Sequence, residues 1–293
     1  MEFKYLSELT GDAIYGKKVD TIRSTLKKIR HPSGLFYNFV NPESAGWCGS
    51  TAGLAALGDS FYEYLLKEWI RTNGRDAEAR QLYDTSLQVL WDRGLFKMSK
   101  KQHLFVANSN NGVVNNFMEH LACFAGGMLA LGAANQSDPW FTRGQQLTET
   151  CRLSYMNTYT HLGPEGFEFS NDIEAVAVKS NQKPYYLRPE TVESYFYMWR
   201  FTKDLKYREW AWDVVQALQN YTRTPTGYSG LKNSNSASPG LDDVQQSYFL
   251  AETLKYLYLI FSEDTLLPLD RWVFNSEAHP LPIQGKVALP DET

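Results

Sequence analysis

Apolar residues recur at three- and four-residue steps along most of this 293-residue chain, and this period constrains its fold more than any other feature. The pattern predicts amphipathic helices over residues 59–72, 77–92, 117–134, 140–159, 190–202, 206–221 and 243–261. Strand signals are short and cover residues 103–107 and 166–169. No segment has the composition of a disordered linker. We therefore expect a single, predominantly helical domain over residues 1–293.

One short motif occurs twice in the chain. Residues 9–15 read LTGDAIY and residues 201–207 read FTKDLKY, and both fit the pattern apolar-Thr-x-Asp-x-x-Tyr. In each copy the motif ends one helical segment, and its Asp can cap the next. Repeated helix–turn–helix units of this size indicate a stack or a closed ring of hairpins. The sequence therefore predicts an all-α toroid.

Two acidic residues stand at predicted helix starts. Glu190 follows an Arg-Pro pair, and Asp59 opens the segment DSFYEYLLK. The helix dipole favours an ionised carboxylate at such positions, so we expect a lowered pKa at both. An ionised carboxylate at the mouth of a helical barrel is suited to act as a general base. Ordinary helix capping is the alternative, and sequence physics alone favours it for any single residue.

Bulk properties exclude some partners and leave the compartment open. The net charge of −4 gives no electrostatic reason to expect nucleic acid or an anionic membrane as a partner. No run of about 18 apolar residues is present, and residues 1–17 lack an apolar signal core, which taken alone predicts a cytosolic protein. Sequons at Asn135 and Asn220 favour a secretory lumen instead. The aromatic content of 14% suits a sugar-binding surface, although an aromatic core explains it equally.

Five ordered sequence blocks resemble glycoside hydrolase family 47, the class I α-1,2-mannosidases. The similarity runs from residue 2 to about residue 283 and leaves residues 284–293 as a C-terminal tail. The blocks are GDSFYEYLLK (58–67), HLACF (120–124), LRPETVES (187–194), FLAETLKYL (249–257) and FNSEAHPLP (274–282). The resemblance implies an (α/α)7 barrel that removes terminal α-1,2-linked mannose from high-mannose N-glycans, with inversion and with Ca²⁺ as cofactor.

The resemblance also assigns catalytic and metal-binding roles. Glu190 matches the family's proposed general base, and Asp59 matches a second essential carboxylate with a possible acid role through water. Ser276 stands where the family usually has Thr, whose hydroxyl and carbonyl oxygens hold calcium, and Ser keeps both oxygens. The water molecules around that calcium are expected to be held by Glu193, Glu252 and Glu277.

Further positions match residues of the family's glycan cleft. Arg188 and His120 match residues that contact glycan or order the carboxylates. Tyr248 replaces a Phe that stacks on a sugar, and Glu2 matches a glutamate that lines the cleft. Leu57 stands where endoplasmic reticulum members have Arg, so it implies broader trimming and similarity to the Golgi subgroup, together with the segments FAGGM (124–128) and DDVQQ (242–246).

Cysteine spacing alone leaves the redox state open, because three cysteines do not define a disulfide framework. The resemblance pairs Cys123 with Cys151, which favours an oxidising lumen. Cys48 is then expected to be a free, buried thiol.

The resemblance does not include the family's first helical hairpins. In the family these hairpins carry a Phe-Glu-x-x-Ile-Arg segment, whose Glu is the leading candidate for the general acid. The N-terminal membrane anchor of Golgi members is not found in these residues either. We therefore expect an incomplete barrel with exposed apolar helix faces and weak or absent activity.

Three other functions remain open at the level of sequence. A lectin-like homologue that binds glycans during glycoprotein degradation would share the motifs, although the cysteine pair and the DDVQQ block argue against it. Another α/α toroid is possible, such as a six-hairpin glycosidase or a terpenoid cyclase, but a cyclase needs an Asp-rich motif that we do not find. A helical scaffold would leave the carboxylates at Asp59, Glu190, Glu252 and Glu277 unexplained.

Overall fold

The structure is a computed structural model that describes residues 1–287. Within that range the chain forms nine α-helices. They are α1 (Glu2–Thr10), α2 (Ile14–Ile29), α3 (Asp59–Arg71), α4 (Ala77–Asp92), α5 (Phe124–Gly132), α6 (Pro139–Met156), α7 (Glu190–Thr202), α8 (Lys206–Tyr221) and α9 (Leu254–Phe261).

Consecutive helices pack in pairs, as the helical period predicts. The hairpins are α1–α2, α3–α4, α5–α6 and α7–α8, while α9 lies against α7 and α8. Nearly every residue of α5 is buried, as are the first ten residues of α7, so these two helices are central to the array. The predicted all-α class of helical hairpins is confirmed, with four hairpins and a ninth helix in the described part of the chain. No helix among residues 1–287 is both long enough and apolar enough to cross a bilayer.

The duplicated motif forms the same turn in both places. Thr10 Oγ1 accepts a hydrogen bond from the backbone N–H of Asp12, whose Oδ1 accepts one from the N–H of Ile14. In the second copy, Thr202 Oγ1 accepts from Asp204 N–H, and Asp204 Oδ1 accepts from Lys206 N–H at 3.0 Å. Each Asp therefore caps the following helix, as the sequence predicts.

Short two-stranded antiparallel sheets fill the loops at the ends of the helices. The strands are β1 (Phe96–Met98), β2 (Leu104–Val106), β3 (Ser109–Asn110), β4 (Val113–Val114), β5 (Phe117–Glu119), β6 (Gly166–Glu168), β7 (Trp272–Phe274) and β8 (Pro280–Pro282), paired β1–β2, β3–β4, β5–β6 and β7–β8. The strand signals at 103–107 and 166–169 correspond to β2 and β6.

Two predicted helices are wrong at their N-terminal ends. Residues 117–134 form β5, then a 3₁₀ turn (His120–Cys123), and only then α5. Residues 243–261 begin with a loop and a π-helical turn (Phe249–Thr253) before α9. Helix α6 begins at Pro139, next to the predicted start at residue 140, and ends at Met156, before the predicted end at residue 159. Helices α1 and α2 were not among the helices predicted from the periodicity.

Candidate active site

A cavity of about 310 Å³ opens where several of these helices begin. It brings together eight residues singled out from the sequence, namely Asp59, Arg188, Glu190, Glu193, Tyr248, Glu252, Ser276 and Glu277. Six carboxyl groups line it, including Glu63, and Arg188 contributes a guanidinium. So many acidic groups in one partly closed space favour a cationic or polyhydroxyl ligand.

Glu190 is the first residue of α7 and is buried against the cavity wall. Its Oε2 lies 2.7 Å from Nδ1 of His120, and its Oε1 lies 3.9 Å from Nη1 of Arg188. Burial alone would raise the pKa of Glu190, but the hydrogen bond from His120, with the Arg188 guanidinium, holds the pKa below its ordinary value. Glu190 is therefore an ionised carboxylate, as a general base requires.

The loop before α7 is held in place by the last helical segment. Leu187 has left-handed backbone geometry (φ 61°), and its carbonyl accepts a hydrogen bond from Thr253 Oγ1 at 2.7 Å. This contact fixes the point at which the chain turns to deliver Arg188 and Glu190 to the cavity.

Asp59 begins α3 on the same cavity. Its Oδ1 accepts a hydrogen bond from the N–H of Ser60 at 2.7 Å. Burial, together with the negative charges of Glu63 and Glu190, nevertheless raises the pKa of Asp59 to about 6. The expectation of a lowered pKa at this helix start is therefore wrong, because desolvation outweighs the favourable contact with the helix N-terminus.

A second group of carboxylates surrounds a buried lysine. Lys67 Nζ lies 2.5 Å from Glu63 Oε1 and 3.7 Å from Glu193 Oε1, and the lysine side chain is almost fully enclosed. Glu193 also accepts a hydrogen bond from the hydroxyl of Tyr256 at 3.2 Å. Burial raises the pKa of Glu193, although Lys67 acts in the opposite direction.

Glu252 lies in the π-helical turn that precedes α9. Such turns often occur at functional sites, because the extra residue redirects a side chain. Burial, the charge of Glu193 and contact with Glu277 raise the pKa of Glu252 to about 10. Glu252 therefore holds a proton at neutral pH unless a cation offsets the surrounding negative charge.

Ser276 lies in the tight connection between β7 and β8. Its backbone N–H donates to the hydroxyl oxygen of Tyr64 at 3.3 Å, and neither its Oγ nor its carbonyl oxygen bonds to a residue in the described part of the chain. Glu2 supports this connection, since its Oε1 accepts from the Tyr64 hydroxyl at 2.6 Å and from Asn275 Nδ2 at 3.0 Å. Glu2 thus contacts the Ser276 loop and does not line the cavity.

Arg188 and Tyr248 also line the cavity. Arg188 makes a bidentate contact with Glu165, with Nε–Oε1 at 2.5 Å and Nη2–Oε2 at 2.8 Å. Its guanidinium carbon lies 5.9 Å from the centre of the Tyr248 ring, and Tyr248 donates to the carbonyl of Tyr186 at 2.7 Å. The ring is thereby fixed, and it is half-exposed to the cavity.

Leu57 stands apart from the acidic cavity. It has left-handed backbone geometry (φ 71°), is 67% exposed and lines a separate apolar groove beside α1, α2 and α3.

Sequence reasoning missed Glu63, Lys67, Glu165 and Tyr155. Glu63 and Lys67 follow Asp59 at four-residue steps, so helical spacing could have placed all three on one face of α3. Glu165 and Tyr155 reach the site only through the tertiary fold, and no local signal identifies them.

The predicted disulfide is present between Cys123 and Cys151, with the sulfur atoms bonded at 2.07 Å. It joins the start of α5 to α6 beside the His120 turn. Cys48 is free but exposed, so the expectation of a buried thiol is wrong. Its loop (residues 41–50) is largely open to solvent, with little apolar surface to cover it.

The described residues contain no group of three His, Cys, Asp or Glu side chains placed to chelate a metal directly. A calcium ion held by the two free oxygens of Ser276 and by water does not require such a group, because Ca²⁺ accepts carbonyl, hydroxyl and water ligands. Carboxylates outnumber the cationic groups near Ser276, and the pKa of Glu252 is raised, so a bound cation would find complementary charge here. The donor set is therefore compatible with calcium.

Comparison with known proteins gives a consistent result. The family model described as Glycosyl hydrolase family 47 matches residues 1–283. The chain is 50% identical over 289 residues to the mannosyl-oligosaccharide alpha-1,2-mannosidase IA of Drosophila melanogaster, covering 97% of this chain and 43% of that protein. It is also 50% identical over 287 residues to the mannosyl-oligosaccharide 1,2-alpha-mannosidase IB of Homo sapiens, covering 97% of this chain and 45% of that protein. The chain spans less than half the length of these relatives.

Solved structures show the same fold. An alpha-1,2-mannosidase from Trichoderma reesei matches with a TM-score of 0.84 and 27% identity, over 97% of this chain and 64% of that one. A cellobiose 2-epimerase from Spirochaeta thermophila matches with a TM-score of 0.61 and 12% identity, over 92% of this chain and 68% of that one, and this similarity concerns the fold alone.

Proposed function

The chain belongs to glycosyl hydrolase family 47, and from that membership we propose that its acidic cavity hydrolyses terminal α-1,2-linked mannose of high-mannose N-glycans on glycoproteins. Relatives at 50% identity are named mannosyl-oligosaccharide α-1,2-mannosidases, which supports the same substrate class here.

The observation that carries the proposal is the opposite perturbation of two carboxyl groups in one cavity. Glu190 has a lowered pKa and Asp59 a pKa of about 6. Paired carboxyls whose pKa values are pushed apart are typical of acid–base catalysis of glycoside hydrolysis. Glu190 then takes a proton from the attacking water, while Asp59 supplies one towards the leaving oxygen through a second water.

Calcium is the proposed cofactor. Ser276 would hold it through its hydroxyl and carbonyl oxygens, and Glu193, Glu252 and Glu277 would bind the water molecules around it. When bound, the cation orients the hydroxyls of the terminal mannose and offsets the negative charge of the cavity. The protein residues contribute by excluding bulk water and by fixing the carboxylates, as Lys67 does for Glu63 and Glu193.

The remaining residues recognise the glycan. Arg188 presents donors to sugar hydroxyls, and the Tyr248 ring offers an apolar face to a pyranose. Leu57 in the neighbouring apolar groove and Glu2 beside the Ser276 loop would contact more distant mannose units. The disulfide and the relatives' substrates favour a secretory lumen, and the Golgi is the proposed compartment, with any membrane attachment supplied by an anchor outside residues 1–287.

The test measures mannose release from a high-mannose N-glycan by the purified chain in the presence of Ca²⁺. We expect Glu190→Gln to lower the rate by roughly 10²–10⁴-fold, because the amide cannot accept the proton. Glu209→Gln is the matched control, since Glu209 is also in the first turn of a helix but is exposed on α8. Because the Phe-Glu-x-x-Ile-Arg segment is not found in these residues, we expect the parent rate itself to be low. Glycan binding without any release by the parent chain would contradict hydrolysis and favour the lectin-like alternative.

A further inference from the structure

We propose that Tyr155 is a positioning residue of this site, which acts through His120 to keep a hydrogen-bond donor aimed at Glu190. The proposal rests on the proposed function for its consequence in catalysis, but its structural claim can be measured without activity. Tyr155 is in α6, lies outside the cavity lining and has no exposed surface, so it does not touch a substrate.

The three side chains form a continuous buried row. The Tyr155 hydroxyl lies 2.8 Å from Nε2 of His120, and Nδ1 of the same ring lies 2.7 Å from Oε2 of Glu190. His120 is fully buried, so its ring nitrogens are shielded from bulk water. The nearest protein partner of Nδ1 is Glu190, and that of Nε2 is the Tyr155 hydroxyl.

The partners determine which nitrogen carries the proton. An ionised Glu190 only accepts hydrogen bonds, so Nδ1 must be the donor in that pair. A neutral imidazole then has a lone pair on Nε2, and the hydroxyl of Tyr155 is the donor that satisfies it. Removal of that hydroxyl leaves the Nε2 lone pair buried without its partner. Moving the proton to Nε2 would then turn the Nδ1 lone pair towards the carboxylate of Glu190.

Neighbouring hydroxyls do not replace Tyr155 at this distance. Thr191 Oγ1 is 3.5 Å from Nε2, which is at the limit of a hydrogen bond. The Tyr185 ring centre lies 6.4 Å from the His120 ring centre, and the Tyr185 hydroxyl has no partner within the described residues. Tyr185 is as deeply buried as Tyr155, so Tyr185→Phe is a matched control that removes a hydroxyl from the same region.

The experiment combines ¹⁵N NMR of the histidine rings with steady-state kinetics on the full chain. In the parent protein we expect the His120 proton on Nδ1 and a lone pair on Nε2. In Tyr155→Phe we expect the proton to stay on Nδ1, because Glu190 still requires a donor there, but the Nε2 resonance to shift as its lone pair loses the hydroxyl donor. We expect kcat to fall on the order of 10-fold, with KM unchanged, since Tyr155 does not contact the glycan. Tyr185→Phe should keep both the NMR pattern and kcat.

Several results would overturn the proposal. One is a parent protein whose His120 carries its proton on Nε2, a measurement that does not depend on whether any variant folds. Another is a folded Tyr155→Phe variant whose His120 Nε2 resonance is unchanged, whatever happens to kcat. If the parent chain releases no mannose at all, the proposed function fails, and the NMR result alone decides the role of Tyr155.

Discussion

At the scale of single residues, the acidic cavity holds more negative carboxylates than its cationic side chains can neutralise. Glu193 and Glu252 both have raised pKa values, because burial and neighbouring carboxylates oppose their ionisation. The buried ammonium of Lys67 offsets part of this negative charge through its contacts with Glu63 and Glu193. The negative charge that Lys67 leaves uncompensated is the physical basis for proposing a divalent cation in this cavity.

The raised pKa of Glu252 gives a prediction about pH. In the folded, metal-free protein this carboxyl titrates near 10, against an ordinary value of 4.5, so the folded state binds more protons between those values. The stabilising contribution is full below pH 4.5 and is lost as pH rises towards 10. Calcium reverses the trend, because it favours the ionised form. We expect calcium to raise the melting temperature more at pH 8 than at pH 5, measured by calorimetry with and without chelator.

Glu252→Gln serves as the control for that prediction, since the amide resembles the protonated acid. In chelator, the variant should lose less stability between pH 5 and pH 9 than the parent does. An equal calcium effect at both pH values in the parent would show that these carboxylates are not coupled to the cation.

At the scale of elements, close packing of α5, α6 and α7 holds the site together. Small residues allow the approach: a Cβ on Gly144 would lie 2.7 Å from the carbonyl oxygen of Gly126, and one on Gly127 would lie 2.6 Å from the Tyr197 ring. The Cys123–Cys151 disulfide closes the same contact at the end near His120. The helices that carry His120, Tyr155 and Glu190 are thereby fixed relative to one another.

Gly144→Ala should disrupt this packing. The added methyl meets backbone, which cannot move aside without shifting α5, so we expect a loss of about 1–3 kcal/mol in the free energy of unfolding by urea denaturation. Gly16→Ala in α2 is the control, because its Cβ would lie 3.4 Å from the nearest atom, which is ordinary contact. The change from Gly to Ala also favours the helix by about 1 kcal/mol. A Gly144→Ala protein as stable as the parent would show that α5 and α6 separate easily.

The helices themselves could be predicted where local rules and tertiary contacts agree. The bounds of α4, α7 and α8 match the periodicity to the residue. Residues 117–123 were predicted as helix because they are apolar at helical steps, but β5 pairs with β6, and the N–H of His120 donates to the carbonyl of Glu165. Residues 243–246 are held as loop by side-chain contacts such as Gln245 Oε1 with Tyr228 N–H. Such long-range bonds leave no local pattern.

The candidate site could be predicted as a list of residues but not as an electrostatic system. Resemblance identified Asp59 and Glu190, and the fold brings both to one cavity. The direction of the pKa shift at Asp59 was wrong, because it depends on burial and on Glu63, which becomes visible only in three dimensions. The contact between Tyr155 and His120 likewise joins α6 to a turn 35 residues earlier.

At the scale of the whole molecule, the α1–α2 hairpin leaves an apolar surface beside α3. A groove of about 330 Å³ runs between these helices and includes Met1, Ile22, Leu26, Leu57 and Phe61. Ionic contacts such as Arg71 with Glu8 and Arg23 with Asp76 attach the hairpin to the α3–α4 unit at its edges. The hairpin is thus held by polar contacts at its edges, while much of its apolar surface faces solvent.

This surface should make the chain self-associate. Phe3, Ile14 and Ile22 are each more than half exposed on one hairpin, and Ile22 also lines the apolar groove. Exposed apolar surface of this kind favours association. We expect the average mass in sedimentation experiments to rise with protein concentration. Ile22→Lys should weaken the association by roughly 10- to 100-fold, because burying one such side chain contributes about 1.5–3 kcal/mol. Val113→Lys is the control, since Val113 is also highly exposed but belongs to the distant β3–β4 hairpin. Equal weakening by both substitutions would mean that the added charge, and not the loss of the groove, reduces the association. A parent chain that stays monomeric at all concentrations would show that the exposed hairpin does not drive self-association.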